Sequence, residues 1–401
     1  MISIDEALAK VLAHAKTAPP RRVALADSLG HVLAEDVCSD IDSPPHDKSC
    51  VDGYAVVAAD VSQGVELVMI EEVTAGETPS RGVNAGHATR IMTGAPIPDG
   101  ADAVVMIEQT EVVADRVRIN ADKTSPGKNI MPRATSMQAG GVVLRVGQEV
   151  RPIEIGVLAE VGASEVSVYR PPTVAVLSTG NELVAADTRP EAGQIRNSNG
   201  PMLEAFVRRA GGQPVDLGIG RDRLDELNRL VAQGLAEDVL VLSGGVSAGV
   251  LDLVPGVLAE NGVEQVFHKV SLKPGKPLWF GTKQAAERTK LVFGLPGNPV
   301  SSLVCFELFV RPALRAIAGH EKTSLERRTA LLVHEHRHRS DRPTYYPARL
   351  SESDGELHVE PLAWKGSADL SALSQADCFA YFPPGTRTYQ RGEQLAVHLL
   401  P

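Results

Sequence analysis

Residues 238–252 read DVLVLSGGVSAGVLD, an apolar run that breaks into glycine and serine before a second apolar stretch begins. Two readings compete. GVSAG matches the G-x-S-x-G pattern of a serine nucleophile on a strained strand-to-helix turn. The same letters describe a glycine-rich loop whose backbone N–H groups hold an anion at a helix N-terminus. Such a loop, closing a strand and opening a helix, is the repeating joint of an open α/β sheet, so the residues on either side decide the architecture.

Those residues alternate. From Pro171-Pro172 onward come TVAVLS, a helix across PMLEAFVRRAGG, QPVDLGI, a helix across RLDELNRLVAQGLAE, DVLVLS, a helix around LVPGVLAENG, EQVFHKVSL, KLVFGL and a last helix from Pro299 to about Ala318. Strand following helix in this rhythm predicts a doubly wound, mostly parallel sheet with helices on both faces. The flanks read differently. MISIDEALAKVLAHA is an amphipathic helix with Ser3 and Glu6 at capping-box spacing. Between about 54 and 136, short runs such as ELVMIEEV, ADAVVMIEQ and RVRIN, split by Gly and Pro, predict a small all-β unit. Residues 137–170 return to mixed structure, and 321–401 (TALLVHEH, ELHVEPL, CFAYFPPG, QLAVHLL) predict a terminal β unit.

Composition bounds the function. The 401 residues are 43% hydrophobic and 22% charged with a net charge of -10, so no basic stripe is available for nucleic acid or an anionic membrane. No stretch approaches the roughly 20 apolar residues of a membrane span. Cys38, Cys50, Cys305 and Cys378 form no C-x-x-C pair, which predicts neither a zinc site nor a disulfide framework and fits a reducing cytoplasm.

In an open α/β sheet, ligands sit at the carboxyl ends of the strands. Three strands end in comparable loops, STGNE (178–182), SGGVSAGVLD (243–252) and GLPGNPVSS (294–302), each mixing glycine with Ser, Thr or Asn donors. Together they predict an anion cradle, although each alone reads first as a structural turn. None is a Walker A or a G-x-G-x-x-G fingerprint. HKVSLKPGKP (268–277) supplies cations: if 269–273 is extended, Lys269 and Lys273 share a face and Pro274-Gly275 turns the chain before Lys276. A solvated lysine edge is the alternative. Glu182, Asp222 and Asp252 add carboxylates suited to holding Mg²⁺ against phosphate oxygens, while Asp222 also reads as a helix N-cap. The hydrolase reading needs a histidine after Ser247, and His268, His320, His334, His336 or His338 meets that requirement only trivially. EHRHRS (335–340), with histidines on alternate positions, reads as a solvated polar strand, a metal-binding cluster being the alternative.

In order and spacing, STGNELV, GQIRNSN, SGGVSAGVLD, KVSLKPGKP and FGLPGNPVS resemble the molybdopterin molybdenumtransferase (MoeA) family, whose animal relative is gephyrin; VDGYAV, AGE (75–77), RIMTGAPIPDGADAVV and WKGSADL extend the resemblance over essentially the whole chain. It implies four domains: 1–43 with 137–170 as a mixed α/β unit, 44–136 an inserted β domain, 171–320 a MogA-like α/β domain that binds molybdopterin, and 321–401 a barrel-like β domain. It further implies a cytoplasmic homodimer that inserts molybdate into molybdopterin from the adenylylated pterin, releasing AMP with Mg²⁺ or another divalent cation assisting, and a possible molybdopterin adenylyltransferase partner. Matching positions give Asp52, Glu182, Asp222, Asp252, Lys269 and Lys273 as catalytic, with Glu182, Asp222 and Asp252 toward the metal. Thr93, Ser178, Thr179, Gly180, Gly244, Gly245, Ser247, Gly249, Lys276, Pro296, Gly297, Asn298, Pro299 and Ser367 fall to substrate binding. Asp52 is expected to reach in from the partner subunit.

One segment departs from the family pattern. G-x-N-[VI]-R-x-x-G-E-D becomes GKNIMPRATS here, placing Met131, Thr135 and Ser136 where Arg, Glu and Asp are expected, with Arg133 two positions on as a substitute cation. Asn181, His46, Lys48 and Ala368 are smaller departures. The alternative reading is therefore a paralogue that carries or scaffolds molybdopterin or its nucleotide without efficient turnover.

Overall fold

The computed structural model describes residues 1–245, 253–286 and 288–400. Its central sheet has six strands: β1 (Thr173–Thr179), β2 (Gln213–Gly220), β3 (Val239–Ser243), β4 (Glu264–His268), β5 (Trp279–Lys283) and β6 (Lys290–Leu295), in the order β2-β1-β3-β6-β5-β4. β2, β1, β3 and β6 are parallel, and β5 and β4 add on in antiparallel fashion. The chain leaves β1 for β2 on one side and crosses back to β3 on the other, so the strand order reverses at β1. That reversal opens a crevice at the carboxyl ends of β1 and β3.

Period-2 alternation explains why helices cover both faces. Val174 and Val176 pack with Leu203 and Val207 of helix α1 (Asn199–Arg209), while Ala175 and Leu177 pack with Leu227 and Leu230 of α2 (Leu224–Gly234). Helix α3 (Val254–Glu260) joins the second face, and α4 (Pro299–Cys305) the first. α4 runs on through a π-helical turn, Phe306–Val310, into Arg311–Ile317, as the expected long helix.

Two expectations fail in this sheet. β5 is absent from the sequence reading, because LWFGTK follows a lysine- and proline-rich loop and is interrupted by Gly281. The glycine is required: a Cβ there would lie 2.3 Å from the Trp279 ring and 2.7 Å from the Glu264 carbonyl. Second, EQVFHKVSL is not one strand. β4 stops at His268, and Lys269 turns left-handed with φ 71°. Lys269 and Lys273 therefore do not share a strand face. Burial of Val270 and Leu272 drives the turn, and the Lys269 N–H on Leu278 O (2.9 Å) and the Val270 N–H on Lys276 O (3.0 Å) close it.

The flanking units lean on this core. Ser3 and Glu6 form the expected reciprocal cap, and Ala7 and Val11 of the N-terminal helix (Ile4–His14) are buried in the central cluster. Strand Pro20–Ala24 pairs antiparallel with Glu165–Tyr169, and Val37–Cys38 with Val142–Leu144, so segments before and after the inserted β region meet. That region holds a six-stranded mixed sheet between Gly53 and Ile119. The C-terminal region closes five strands into a barrel. EHRHRS is a strand there (His336–Ser340) but not a solvated one, because His336 and His338 stack on the buried Phe382 at 4.7 and 5.0 Å. Among the described residues no helix is long and apolar enough to cross a membrane, and all four cysteines are free thiols.

Candidate active site

The crevice at the strand reversal is a cavity of about 710 Å³. Ser178, Thr179, Gly180, Glu182, Asp222, Gly244, Gly245, Pro296, Gly297, Asn298 and Pro299 all line it, so the loops after β1, β3 and β6 do converge on one space. Ser247, Gly249 and Asp252 lie outside the described residues.

Hydrogen bonds lock the three loops in register. Asn199, the first residue of α1, donates through Nδ2 to Ser243 Oγ and to Gly297 O, both at 2.7 Å. The Gly244 N–H meets Leu295 O at 3.1 Å. Gly244 sits at φ 96°, and a Cβ there would stand 2.6 Å from Thr179 O, so only glycine lets the β1 and β3 loops approach this closely. Ser178 Oγ and Asn199 Oδ1 are buried with no hydrogen-bond partner among the described residues. Such atoms are costly unless something completes them.

The carboxylates occupy one side of the cavity. Arg221 Nη1 donates to the carbonyls of Gly180, Asn181 and Leu183 at 3.2, 3.0 and 2.8 Å, which fixes the loop carrying Glu182. The Glu182 carboxylate folds back over Gly180, within 2.5 Å of where a Cβ would stand. Asp222 is not the helix cap: Arg223 holds the N-cap position of α2, with no side-chain capping bond, and the Asp222 N–H donates to Asn181 Oδ1 at 3.1 Å. Asn181, a departure from the family pattern, is thus the residue that seats Asp222. Glu182 and Asp222 line the cavity together, while no group of three or more His, Cys, Asp or Glu among the described residues forms a ready metal site.

A second cavity, of about 650 Å³, shares Pro277, Pro296 and Asn298 with the first. It is basic and aromatic: Lys273, Lys276, Arg342 and Lys365 line it with Tyr346 and Trp364, and Ser367 stands at the shared edge with Oγ accepting from Asn298 Nδ2 at 3.0 Å. The C-terminal barrel region positions it. Lys273 N–H meets Pro343 O, Tyr345 N–H meets Lys273 O, and Arg342 Nη1 meets Leu272 O, all at 2.9 Å. Lys269 lines neither cavity.

Asp52 and Thr93 also line neither cavity. Thr93 donates to Asp52 Oδ1 from both N–H and O–H at 2.7 Å, and these two bonds hold the Asp52 carboxyl below the usual carboxylate range. Neither Met131 nor Arg133 lines either cavity. Arg133 Nε is bound to Asp42 Oδ2 at 2.5 Å and its N–H to Asp47 at 2.7 Å, and Met131 is paired with Lys48 in a short ladder. None of the histidines that a Ser247 nucleophile would need lines the cavity among the described residues.

Sequence reasoning missed Asn199, Arg221 and Arg342. Asn199 carried a readable signal, an amide side chain opening the helix after a glycine-bearing loop. Arg221 and Arg342 carried none, since only the fold brings them to these loops.

Comparison with known proteins shows the family. Family models match residues 2–162 (MoeA N-terminal region, domain I and II), 175–316 (probable molybdopterin binding domain) and 331–400 (MoeA C-terminal region, domain IV). The molybdopterin molybdenumtransferase of Staphylococcus aureus strain MRSA252 is 35% identical, over 99% of this chain and 95% of its own. That of Bacillus subtilis strain 168 is 34% identical, over 100% and 94%. The crystal structure of a molybdopterin biosynthesis MoeA protein from Pyrococcus horikosii superposes with a TM-score of 0.84 at 33% identity, covering 100% of this chain and 99% of that one. The chain belongs to the molybdopterin molybdenumtransferase (MoeA) family, transferases of molybdenum cofactor biosynthesis.

Proposed function

We propose that this chain binds adenylylated molybdopterin and molybdate, joins the metal to the pterin and releases AMP. One observation carries the reading: two cavities of unlike chemistry share a wall, a glycine-loop cradle with two carboxylates on one side and a groove of four cations on the other. Backbone N–H groups and the N-termini of α1 and α4 suit phosphate, and the groove suits a tetrahedral oxyanion such as molybdate. Shared Pro296 and Asn298 hold the two ligands side by side, which is what a transfer between them requires.

Within that reading, Lys273, Lys276 and Arg342 hold molybdate, with Lys365 and Ser367 beside them. Lys269 is left out of this set because it lines neither cavity. Glu182 and Asp222 fit Mg²⁺ in the manner typical of that ion, one or two carboxylates with the remaining positions left to substrate phosphate and water. The cation would neutralise charge developing on the adenylyl phosphate. Asp52, pre-set by Thr93, would come from the second subunit of a cytoplasmic homodimer.

The missing arginine and acidic pair favour a second reading, that of a carrier or scaffold that binds pterin without turnover, and the nearby Arg133 is paired through Nε with Asp42. One experiment separates the two. Purified chain is incubated with adenylyl-molybdopterin, molybdate and Mg²⁺, and AMP and active cofactor are measured. Molybdate-dependent release of AMP is expected; tight binding with AMP at background makes the chain a carrier.

A further inference from the structure

Away from the cradle, a cavity of about 430 Å³ opens where the N-terminal region meets the central sheet. Its wall takes Arg21 from strand Pro20–Ala24, Arg208 and Arg209 from the last turn of α1, and Arg315 from the last turn of helix Arg311–Ile317. Glu149 is the one carboxylate among its lining residues. In a chain of net charge -10 this is an unusual concentration of cations.

The local partners do not use up this charge. Arg208 reaches Glu204 at 3.1 Å, Arg315 reaches Glu149 at 3.5 Å, and Arg21 meets no carboxylate, only His31 Nε2 at 3.2 Å. Arg209 makes no hydrogen bond and no ion pair within 4 Å among the described residues; its charge acts on the buried Glu307, which Arg311 also meets at 3.6 Å. Arginines in the last turn of a helix normally answer its dipole, which amounts to roughly half a negative charge at each C-terminus. Crediting both helix ends, Glu149, Glu204 and Glu307 against five guanidiniums, Arg311 included, still leaves roughly one positive charge unanswered. His320, bound to Glu149 at 3.2 Å, has its pKa pushed down to about 4 by burial and then by Arg315 and Arg311, with Glu149 opposing.

We infer that this seam is a second anion site, distinct from the cradle, that takes a small phosphorylated ligand. Guanidinium forks match phosphate oxygens in pairs, and the cavity lies within the size range of small-ligand sites. The inference does not depend on the transferase reading.

The test follows the imidazole signals of His320 by NMR in the full-length chain at low salt while pyrophosphate, and separately AMP, is added. A saturable shift with a midpoint near or below about 1 mM is expected. It should weaken at least about 10-fold in the Arg21→Gln/Arg209→Gln variant, whose two positions are exposed, and persist in Lys273→Ala/Lys276→Ala. Tighter binding of AMP than of pyrophosphate would identify a nucleotide as the ligand class, and the reverse a free phosphate; either supports the site. An unresponsive His320, or a response that survives Arg21→Gln/Arg209→Gln, overturns it.

Discussion

Replacing Asn199 by alanine tests whether the cradle is a single, cross-braced object. The change removes the 2.7 Å bonds to Ser243 Oγ and Gly297 O, which tie the head of α1 to the ends of β3 and β6. Two neutral hydrogen bonds contribute about 1–3 kcal/mol together, and removing the unpartnered Oδ1 returns part of that, leaving a net loss of about 1–2 kcal/mol. That is roughly a 5- to 30-fold change in the folding equilibrium of the α/β region, readable by denaturant titration. Substrate binding should suffer more than stability, because all three loops lose their common register. Asn199→Asp keeps the size but sets a carboxylate against Gly297 O and against an incoming anion, so it should bind pterin worse than alanine does. If Asn199→Ala unfolds at the wild-type midpoint and binds adenylyl-molybdopterin as tightly as wild type, the bracing argument is wrong.

Other expectations follow from the same geometry. Lys273→Ala and Lys276→Ala should each raise the molybdate KM roughly 10- to 100-fold, the range for a charge-assisted contact, while pterin binding measured by calorimetry stays unchanged. Arg221→Ala frees the carbonyls of residues 180, 181 and 183, so steady-state assays should show a higher Mg²⁺ requirement and a lower kcat with the fold retained in circular dichroism. Gly244→Ala forces a side chain at φ 96° into Thr179 O and should cost at least about 1–2 kcal/mol in denaturant midpoint as well as closing the cradle. His398 has its pKa lowered to about 4 by burial, then by Arg327. The unfolded chain therefore binds the extra proton between about pH 6.5 and 4, and this share of stability is present above 6.5 and lost as pH falls toward 4. His398→Gln should flatten the fall in thermal midpoint across that window.

Much of this site could be read from the residues alone, for reasons particular to each part. Loops at parallel strand ends are written in glycine and short polar residues, and 178–180 with Glu182, 243–245 and 296–299 do meet in one cavity. Position along the chain says less about the lysines. Lys269 is only four residues from Lys273, yet a left-handed turn removes it from the groove, and burial of Val270 and Leu272, not charge pattern, sets that turn. The groove's Arg342 comes from the bend between two strands, about 70 residues beyond Lys273, and is joined to it through Leu272 O, a contact that no local pattern encodes. His336 and His338 mislead in the opposite direction: a polar-looking strand turns its imidazoles onto Phe382, where stacking replaces solvent. Arg133 shows the limit of substitution by proximity, since its Nε is paired with Asp42 and it lines neither cavity.

The most direct measurement of the central claim is the position of the metal. Crystals soaked in molybdate, with data collected at the molybdenum absorption edge, would place its anomalous peak. The account predicts the strongest peak in the basic groove, against Lys273, Lys276 and Arg342 and next to the wall shared with the cradle. Occupied molybdate elsewhere on the chain, with that groove empty, would contradict it.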